Sequence, residues 1–265
     1  MSELINNNLQ ISVLLVTVAI GEKHLEQYNK LFRKSHEKYA KKNNYDFKVV
    51  TDFLDNNGKK NIYTENRRSI SFNKILVCSQ PWSKNYDYII FVDSDILINI
   101  NIAPALHNYC DYENRIGIVD EFSQPTPEQR IEWQKLKRCR DKSASQYYKV
   151  NGDFNIDTNI VINSGFMIFQ PNIHANFAEN IYNKYIAKTT NEKKGYRHCD
   201  QQYIGYELQI NNMYKILPNK FNALWMIYRD MGYKDLEMFF CENYFIHFAG
   251  HCDLDKVCNL HKYIT

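Results

Sequence analysis

The chain has 265 residues, 44% of them hydrophobic, enough to bury a substantial core in one large domain or two small ones. Its 33 basic and 30 acidic side chains leave a formal charge of +3, a near balance that gives no broad electrostatic case for nucleic-acid binding. The longest apolar run near the N-terminus, ISVLLVTVAI, is about half the roughly 20 residues of a membrane span, and the MSELINNNLQ before it is acidic and polar where a secretory signal would be basic.

ISVLLVTVAIG, residues 11–21, reads as a buried first strand closed by Gly21, with HLEQYNKLFRKSHEKYAKKN following as one amphipathic helix. YDFKVV is a short second strand. In SISFNKILVCSQPW the apolar residues at 72, 75, 76 and 77, stopped by Pro81, predict a helix. YDYIIFVDSDILIN, residues 86–99, gives a third strand, because the unbroken apolar run Tyr88 to Val92 suits burial on both faces of a parallel sheet. This β-α-β-α-β order predicts an α/β fold with a mostly parallel, Rossmann-like twisted sheet flanked by helices in a single domain, 1–265.

RIGIVD is a further strand, and 120–158 is a polar insertion expected at the surface. Within it Thr126 caps a helix that has Pro127 in its first turn and Gln129 completing a capping box. NIVINSGFMIF, residues 159–169, returns to a buried strand, and its polar break at Asn163, Ser164 and Gly165 predicts a bulge or a backbone approached by a ligand. NIHANFAENIYNKYIAK and HCDQQYIGYEL read as helices, YKILPNKFN as extended chain, and NYFIHFAGH as a last strand.

Carboxylates do not belong in a buried strand, so Asp93 and Asp95 are placed where the third strand leaves the sheet. Residues two apart in extended chain project to one side, and ligands of open α/β sheets bind at that end of the strands. Two hard oxygen donors facing one point suit a divalent cation; an acidic loop edge is the bland alternative. Asp200-Gln201 opens a helix, where an acid is favourable for the dipole alone. The seven cysteines, an odd number with no C-x-x-C pair, predict reduced thiols and a cytoplasmic setting. The cluster His247, His251, Cys252, Cys258 and His261 matches no standard structural zinc spacing.

Taken in order, Asp93-Ser94-Asp95, Asn163-Ser164-Gly165, Asp200-Gln201 and the His247 of IHFAG resemble the motifs of retaining GT-A glycosyltransferases, especially family 34, the galactosyl-, mannosyl- and xylosyltransferases, and more distantly the glycogenin-like family 8. The resemblance runs from the first strand to about residue 252 and implies transfer of a hexose or pentose from a nucleotide-diphosphate sugar, a UDP-sugar favoured, to the hydroxyl of a glycan or glycosylated acceptor. It makes 1–119 the nucleotide-binding half and 159–265 the sugar- and acceptor-binding half. Asp93, Asp95 and His247 become ligands of Mn²⁺, with Mg²⁺ as the alternative, and Ser94 lies between the two acids. Lys74 is placed to reach the phosphates or the donor sugar, Asn163 and Gly165 to hold that sugar, and Thr17 and Val18 to contact base and ribose.

Asp200 and Gln201 fall beside the anomeric carbon. Retention then follows either from a protein nucleophile, for which glutamine is too poor and Asp200 is the candidate, or from front-face attack, the route favoured because the resemblance implies that Asp200 holds sugar hydroxyls. After Gly250 the sequence lacks the Lys-Pro-Trp of glycogenin-like enzymes, leaving Lys256 or His251 as the second phosphate cation. Two other classes compete: a nucleotidyltransferase, which AIGEKHLE argues against with its single glycine and single lysine, and a non-catalytic carbohydrate-binding protein derived from a transferase.

Overall fold

The computed structural model describes residues 11–55, 67–109, 114–189, 200–251 and 253–264. Strand β1 (Val13–Val18) lies between β2 (Asp46–Val50) and β3 (Tyr88–Val92) and is parallel to both, as the alternation of strands and helices requires. Beyond β3 come β6 (Ile162–Phe169), β5 (Ile116–Asp120) and β7 (Tyr214–Ile216), giving the order β2-β1-β3-β6-β5-β7. Because β6 is antiparallel to both its neighbours while β7 is parallel to β5, it is the one reversed strand of a mostly parallel sheet.

Residues alternate between two cores. Val13, Leu15, Ile90, Val92, Phe166 and Ile168 face one side, where they meet Tyr28 and Leu31 of helix α1 (Glu22–Leu31), Tyr39 of α2 (Arg33–Lys42) and the C-terminal segments. Leu14, Val16, Ile89, Phe91 and Met167 face the other side, covered by the stretch around Phe72 and Ile75 and by the aromatic rings Tyr182, Tyr185 and Tyr203. Each of these fully buried large side chains contributes about 1.5–3 kcal/mol of transfer free energy, which makes the sheet a stiff platform for what protrudes from its edge.

Three expectations are modified. The single helix over 24–43 is two, broken at Phe32, whose carbonyl takes a bond from the Ser35 hydroxyl at 2.7 Å in competition with a continuous helix. The helix through Lys74 is a short α3 (Arg67–Phe72) running into a 3₁₀ segment, Asn73–Cys78, buried throughout. The insertion is not simply a surface feature: its helices α4 (Pro127–Leu136) and α5 (Ala144–Gly152) bury Arg130, Trp133, Tyr147 and Tyr148. Its capping box holds, with the Thr126 hydroxyl accepting from Gln129 N at 3.2 Å. The break at Asn163 to Gly165 is indeed a bulge: Ile118 pairs with Met167 but its neighbour Val119 pairs with Asn163.

A second, three-stranded sheet has the order β4-β9-β8, from β4 (Ile96–Ile98), β9 (Phe245–His247) and β8 (Ala223–Leu224). Its register sets Ile96, the residue after Asp95, opposite His247. Among the described residues no helix is long and apolar enough to cross a membrane.

Candidate active site

The chain leaves β3 as Asp93-Ser94-Asp95 and enters β4 at once, so the two acids sit at the junction of the two sheets. Here β4 brings them to the end of β9, and the His247 Nε2 lies 3.2 Å from Asp95 Oδ1 and 3.9 Å from Asp93 Oδ2. One ligand atom from each of the three residues lies within 4.8 Å of the others, the only such metal-compatible group among the described residues. Phe91, Asp93, Ser94, Asp95, Lys74 and Val18 are among the residues that line a cleft of about 520 Å³ at the carboxyl end of the parallel strands, a size within the roughly 300–1,000 Å³ typical of small-ligand sites.

A backbone donor fixes the chemistry of the histidine. Gly165 N–H donates to Asn163 Oδ1 at 2.9 Å, so Asn222, which also reaches that oxygen at 2.8 Å, must present its Nδ2 there. Asn222 Oδ1 is then left facing His247 Nδ1 at 2.9 Å, so Nδ1 carries a proton and donates it. The other nitrogen, Nε2, faces two carboxylates, and in the neutral ring it is the one that carries the lone pair. Between that nitrogen and the carboxylates a positive charge is called for, a proton or a metal ion, and an imidazole with two carboxylates is a donor set that Mn²⁺ or Mg²⁺ accepts. With only a proton available for that role, burial lowers the pKa of His247 but the Asp95 and Asp93 charges outweigh it and hold the group above the ordinary histidine value.

Gly165 is required here by space. A Cβ at this position would stand 2.6 Å from His247 Cε1, 2.9 Å from Asn163 Oδ1 and 3.0 Å from Asp93 Oδ2. The bulge therefore lets the backbone pass against the Asp93, Asp95 and His247 cluster, with Gly165 O accepting from Asp93 N at 2.8 Å.

Lys74 is brought to the same point. Its ammonium lies 2.8 Å and 3.0 Å from the two Asp93 carboxylate oxygens and 3.1 Å from Asp200 Oδ2. Burial opposes the charge, but Asp200 and Asp93 together raise the lysine pKa above its ordinary value. Asp93 is raised by burial first and by Asp95 besides, with Lys74 pulling the other way. Asp200 precedes helix α6 (Gln201–Ile210) but makes no side-chain cap to it; its carboxylate takes the Ser164 hydroxyl at 2.6 Å as well as Lys74. The helix-dipole explanation thus does not account for its orientation. Gln201 gives its amide nitrogen to Glu121 Oε2 at 2.8 Å and to the Tyr147 hydroxyl at 3.1 Å.

The remaining sequence-predicted residues divide. Ser94 lines the cleft and bonds His24 Nε2 at 2.7 Å. Val18 lines it too, whereas Thr17 is wholly buried and its hydroxyl has no partner among the described residues. Gly250 turns the chain at φ 73° just after His247. Lys256 is not brought to the acids; it pairs with Asp253 at 2.8 Å, which raises its pKa. Of the C-terminal histidines and cysteines, His261 binds the Leu31 carbonyl at 2.7 Å, Cys258 is exposed and Cys252 lies outside the described residues. Sequence reasoning missed Glu121, Asn222, His24 and Tyr147, and gave Ser164 no role of its own within its motif. A signal existed for Glu121, since Asp120-Glu121 ends β5 with two acids just as Asp93 ends β3.

The family model described as glycosyl transferase family 8 matches residues 1–252, the more distant of the two families that the motifs resemble. No curated protein matches the sequence. Among solved structures, a glycosyltransferase involved in the glycosylation of the major capsid of PBCV-1 aligns over 95% of this chain and 99% of its own, at 11% identity and a TM-score of 0.56. The galactosyltransferase LgtC, in complex with donor and acceptor sugar analogues, aligns over 95% of each chain at 12% identity and 0.57. The apo form of glycosyltransferase GlyE from Streptococcus pneumoniae covers 96% of this chain and 60% of its own, at 12% identity and 0.51. At such identities these likenesses establish a shared GT-A fold.

Proposed function

The chain belongs to glycosyl transferase family 8, and on that premise we propose that it transfers a hexose or pentose from a UDP-sugar to an acceptor hydroxyl, with retention and with Mn²⁺ or Mg²⁺ as its metal. The observation that carries the reading is the convergence of Asp93, Asp95 and His247 Nε2 beside a cleft at the carboxyl end of the sheet. Those three side chains are the ligands. A divalent cation there supplies electrostatic stabilisation of the diphosphate as it gains charge on departure.

The residues around it have separable tasks. Val18, with Thr17 behind it, borders the base and ribose. Lys74, already poised between Asp93 and Asp200, exchanges part of its carboxylate contact for donor phosphate or sugar oxygens. Asn163, Gly165 and Asp200 hold the donor sugar, and Gln201 stands beside its anomeric carbon. Ser94 stays in the cleft wall. Gly250 turns the chain toward Lys256, the cation proposed for the second phosphate, which is half exposed in its pair with Asp253. An acceptor hydroxyl attacks on the face the diphosphate leaves, its proton passing to the departing phosphate oxygen, so no protein base is needed. The free state of Cys78, Cys139, Cys241 and Cys258 supports a cytoplasmic setting.

The test is a panel of sugar nucleotides offered with Mn²⁺ and read as nucleoside diphosphate release. The reading predicts release from at least one UDP-sugar, lost on chelation; release from none, with folded protein, would reject it.

A further inference from the structure

Glu121 has a place in the site that no motif accounts for. It follows the last residue of β5, is 6% exposed, and accepts from three directions: Arg130 Nη2 at Oε1, and Asn163 Nδ2 at 2.9 Å and Gln201 Nε2 at 2.8 Å, both at Oε2. Arg130 is itself 3% exposed, with its guanidinium 4.8 Å from the Phe122 ring centroid and 4.6 Å from that of Trp133. Among the described residues its Nε and Nη1 have no hydrogen-bond partner, so Glu121 is the one acceptor they show for this buried cation.

The consequence falls on Gln201. A side-chain amide can face either way round, and the Tyr147 hydroxyl, able to donate or accept, does not choose between the two. A carboxylate does choose, because it only accepts. Asn163, by contrast, is also oriented by Gly165 N–H, so Gln201 is the residue whose orientation depends on Glu121. With Nε2 held by Glu121 and Tyr147, the amide oxygen is left with no donor from any described residue.

We propose that Glu121, clamped by Arg130, is a positioning residue that turns the amide of Gln201 so that its oxygen, and not its nitrogen, is presented to the positive charge developing at the donor sugar. This rests on the reading of Gln201 as the group beside the anomeric carbon. It also gives the insertion a task, since Arg130 on α4 reaches Gln201 through this carboxylate and Tyr147 on α5 contacts the same amide directly.

E121Q keeps the shape and removes the choice. If its new amide oxygen stays with Arg130, its nitrogen opposes both Asn163 Nδ2 and Gln201 Nε2; if it turns round, its nitrogen opposes Arg130. A residue needed only for packing would tolerate this change. The experiment has two arms on the full chain. In the ligand-free, ¹⁵N-labelled protein, hydrogen exchange of the Gln201 side-chain amide should be slowed in wild type and in Y147F but fast in E121Q. In turnover with Mn²⁺ and the best of UDP-glucose, UDP-galactose and UDP-xylose, E121Q should lower kcat on the order of 10²-fold with donor KM within about twofold. Wild-type kcat in E121Q, or free-amide exchange of Gln201 in the wild type, would overturn the proposal; the second needs no variant to fold. If the wild type turns over none of these donors the functional reading fails, while unchanged Gln201 protection in E121Q would separately overturn the role given to Glu121.

Discussion

Gly165→Ala is the smallest change that should disable the site, and its effect can be worked from distances. The added methyl would sit 2.6 Å from His247 Cε1, where carbon atoms rest at about 3.5–4.0 Å, so the ring or the bulge must yield by roughly 1 Å. Neither has easy room: His247 is 5% exposed and tied to Asn222, and Gly165 O is tied to Asp93 N. The other two close atoms, Asn163 Oδ1 and Asp93 Oδ2, belong to the same site. Overpacking of this kind costs about 1–3 kcal/mol of stability, which a chain of this size survives, whereas a misplacement near 1 Å at reacting groups is worth on the order of 10²-fold in rate. Urea unfolding should therefore show a folded protein weakened by about 1–3 kcal/mol, with weaker Mn²⁺ binding and turnover down about 10²-fold. Wild-type Mn²⁺ affinity and turnover in this variant would refute the argument that the bulge exists to let the backbone pass the ligand cluster.

Other consequences follow from the same geometry. Asp93→Ala and Asp95→Ala should each abolish Mn²⁺-supported turnover and leave the circular dichroism of the fold intact. Lys74→Met leaves Asp93 and Asp200 without their buried cation and should destabilise the metal-free protein by about 3 kcal/mol, part of it restored by Mn²⁺ in a thermal melt. His36, fully buried between the Tyr28 hydroxyl and the Ile96 carbonyl, has its pKa lowered by burial from 6.5 to about 4. The unfolded chain therefore binds a proton there that the folded chain refuses, so stability should fall as pH drops from 6.5 toward 4, by about 3 kcal/mol over the window. His36→Gln should flatten that part of the urea-unfolding profile. NMR of the first-formed glycoside should show an α linkage from an α-linked donor, and a β product would reject retention.

The two acids were legible in the sequence because their signal is local: a buried apolar run cannot continue into carboxylates, and the break marks the sheet edge. The bulge was legible for the same reason, as polar residues and a glycine inside an apolar strand. His247 could be placed beside the acids only through family resemblance, since nothing in a short strand ending 152 residues after Asp95 announces that β4 and β9 will pair. Asn222 was out of reach. It leaves a 3₁₀ turn for a two-residue strand, and its value lies in relaying a hydrogen-bond polarity from the Gly165 backbone to His247 Nδ1. The polar composition of the insertion points to the surface, yet its polar residues Arg130 and Gln134 are buried and Arg130 pairs with Glu121. The break at Phe32 escaped because Leu31 and Phe32 both satisfy the helical stripe, and only Ser35 turning back on the carbonyl at 32 shows the cost of continuing.

The central claim is that Asp93, Asp95 and His247 hold a divalent cation through which the nucleoside diphosphate is bound. Calorimetric titration of UDP into the protein, with Mn²⁺ and again with excess chelator, tests it most directly. The account predicts one UDP per chain in the presence of Mn²⁺, no measurable heat with chelator, and none in Asp95→Ala under either condition. UDP binding of equal affinity with and without the metal would contradict it.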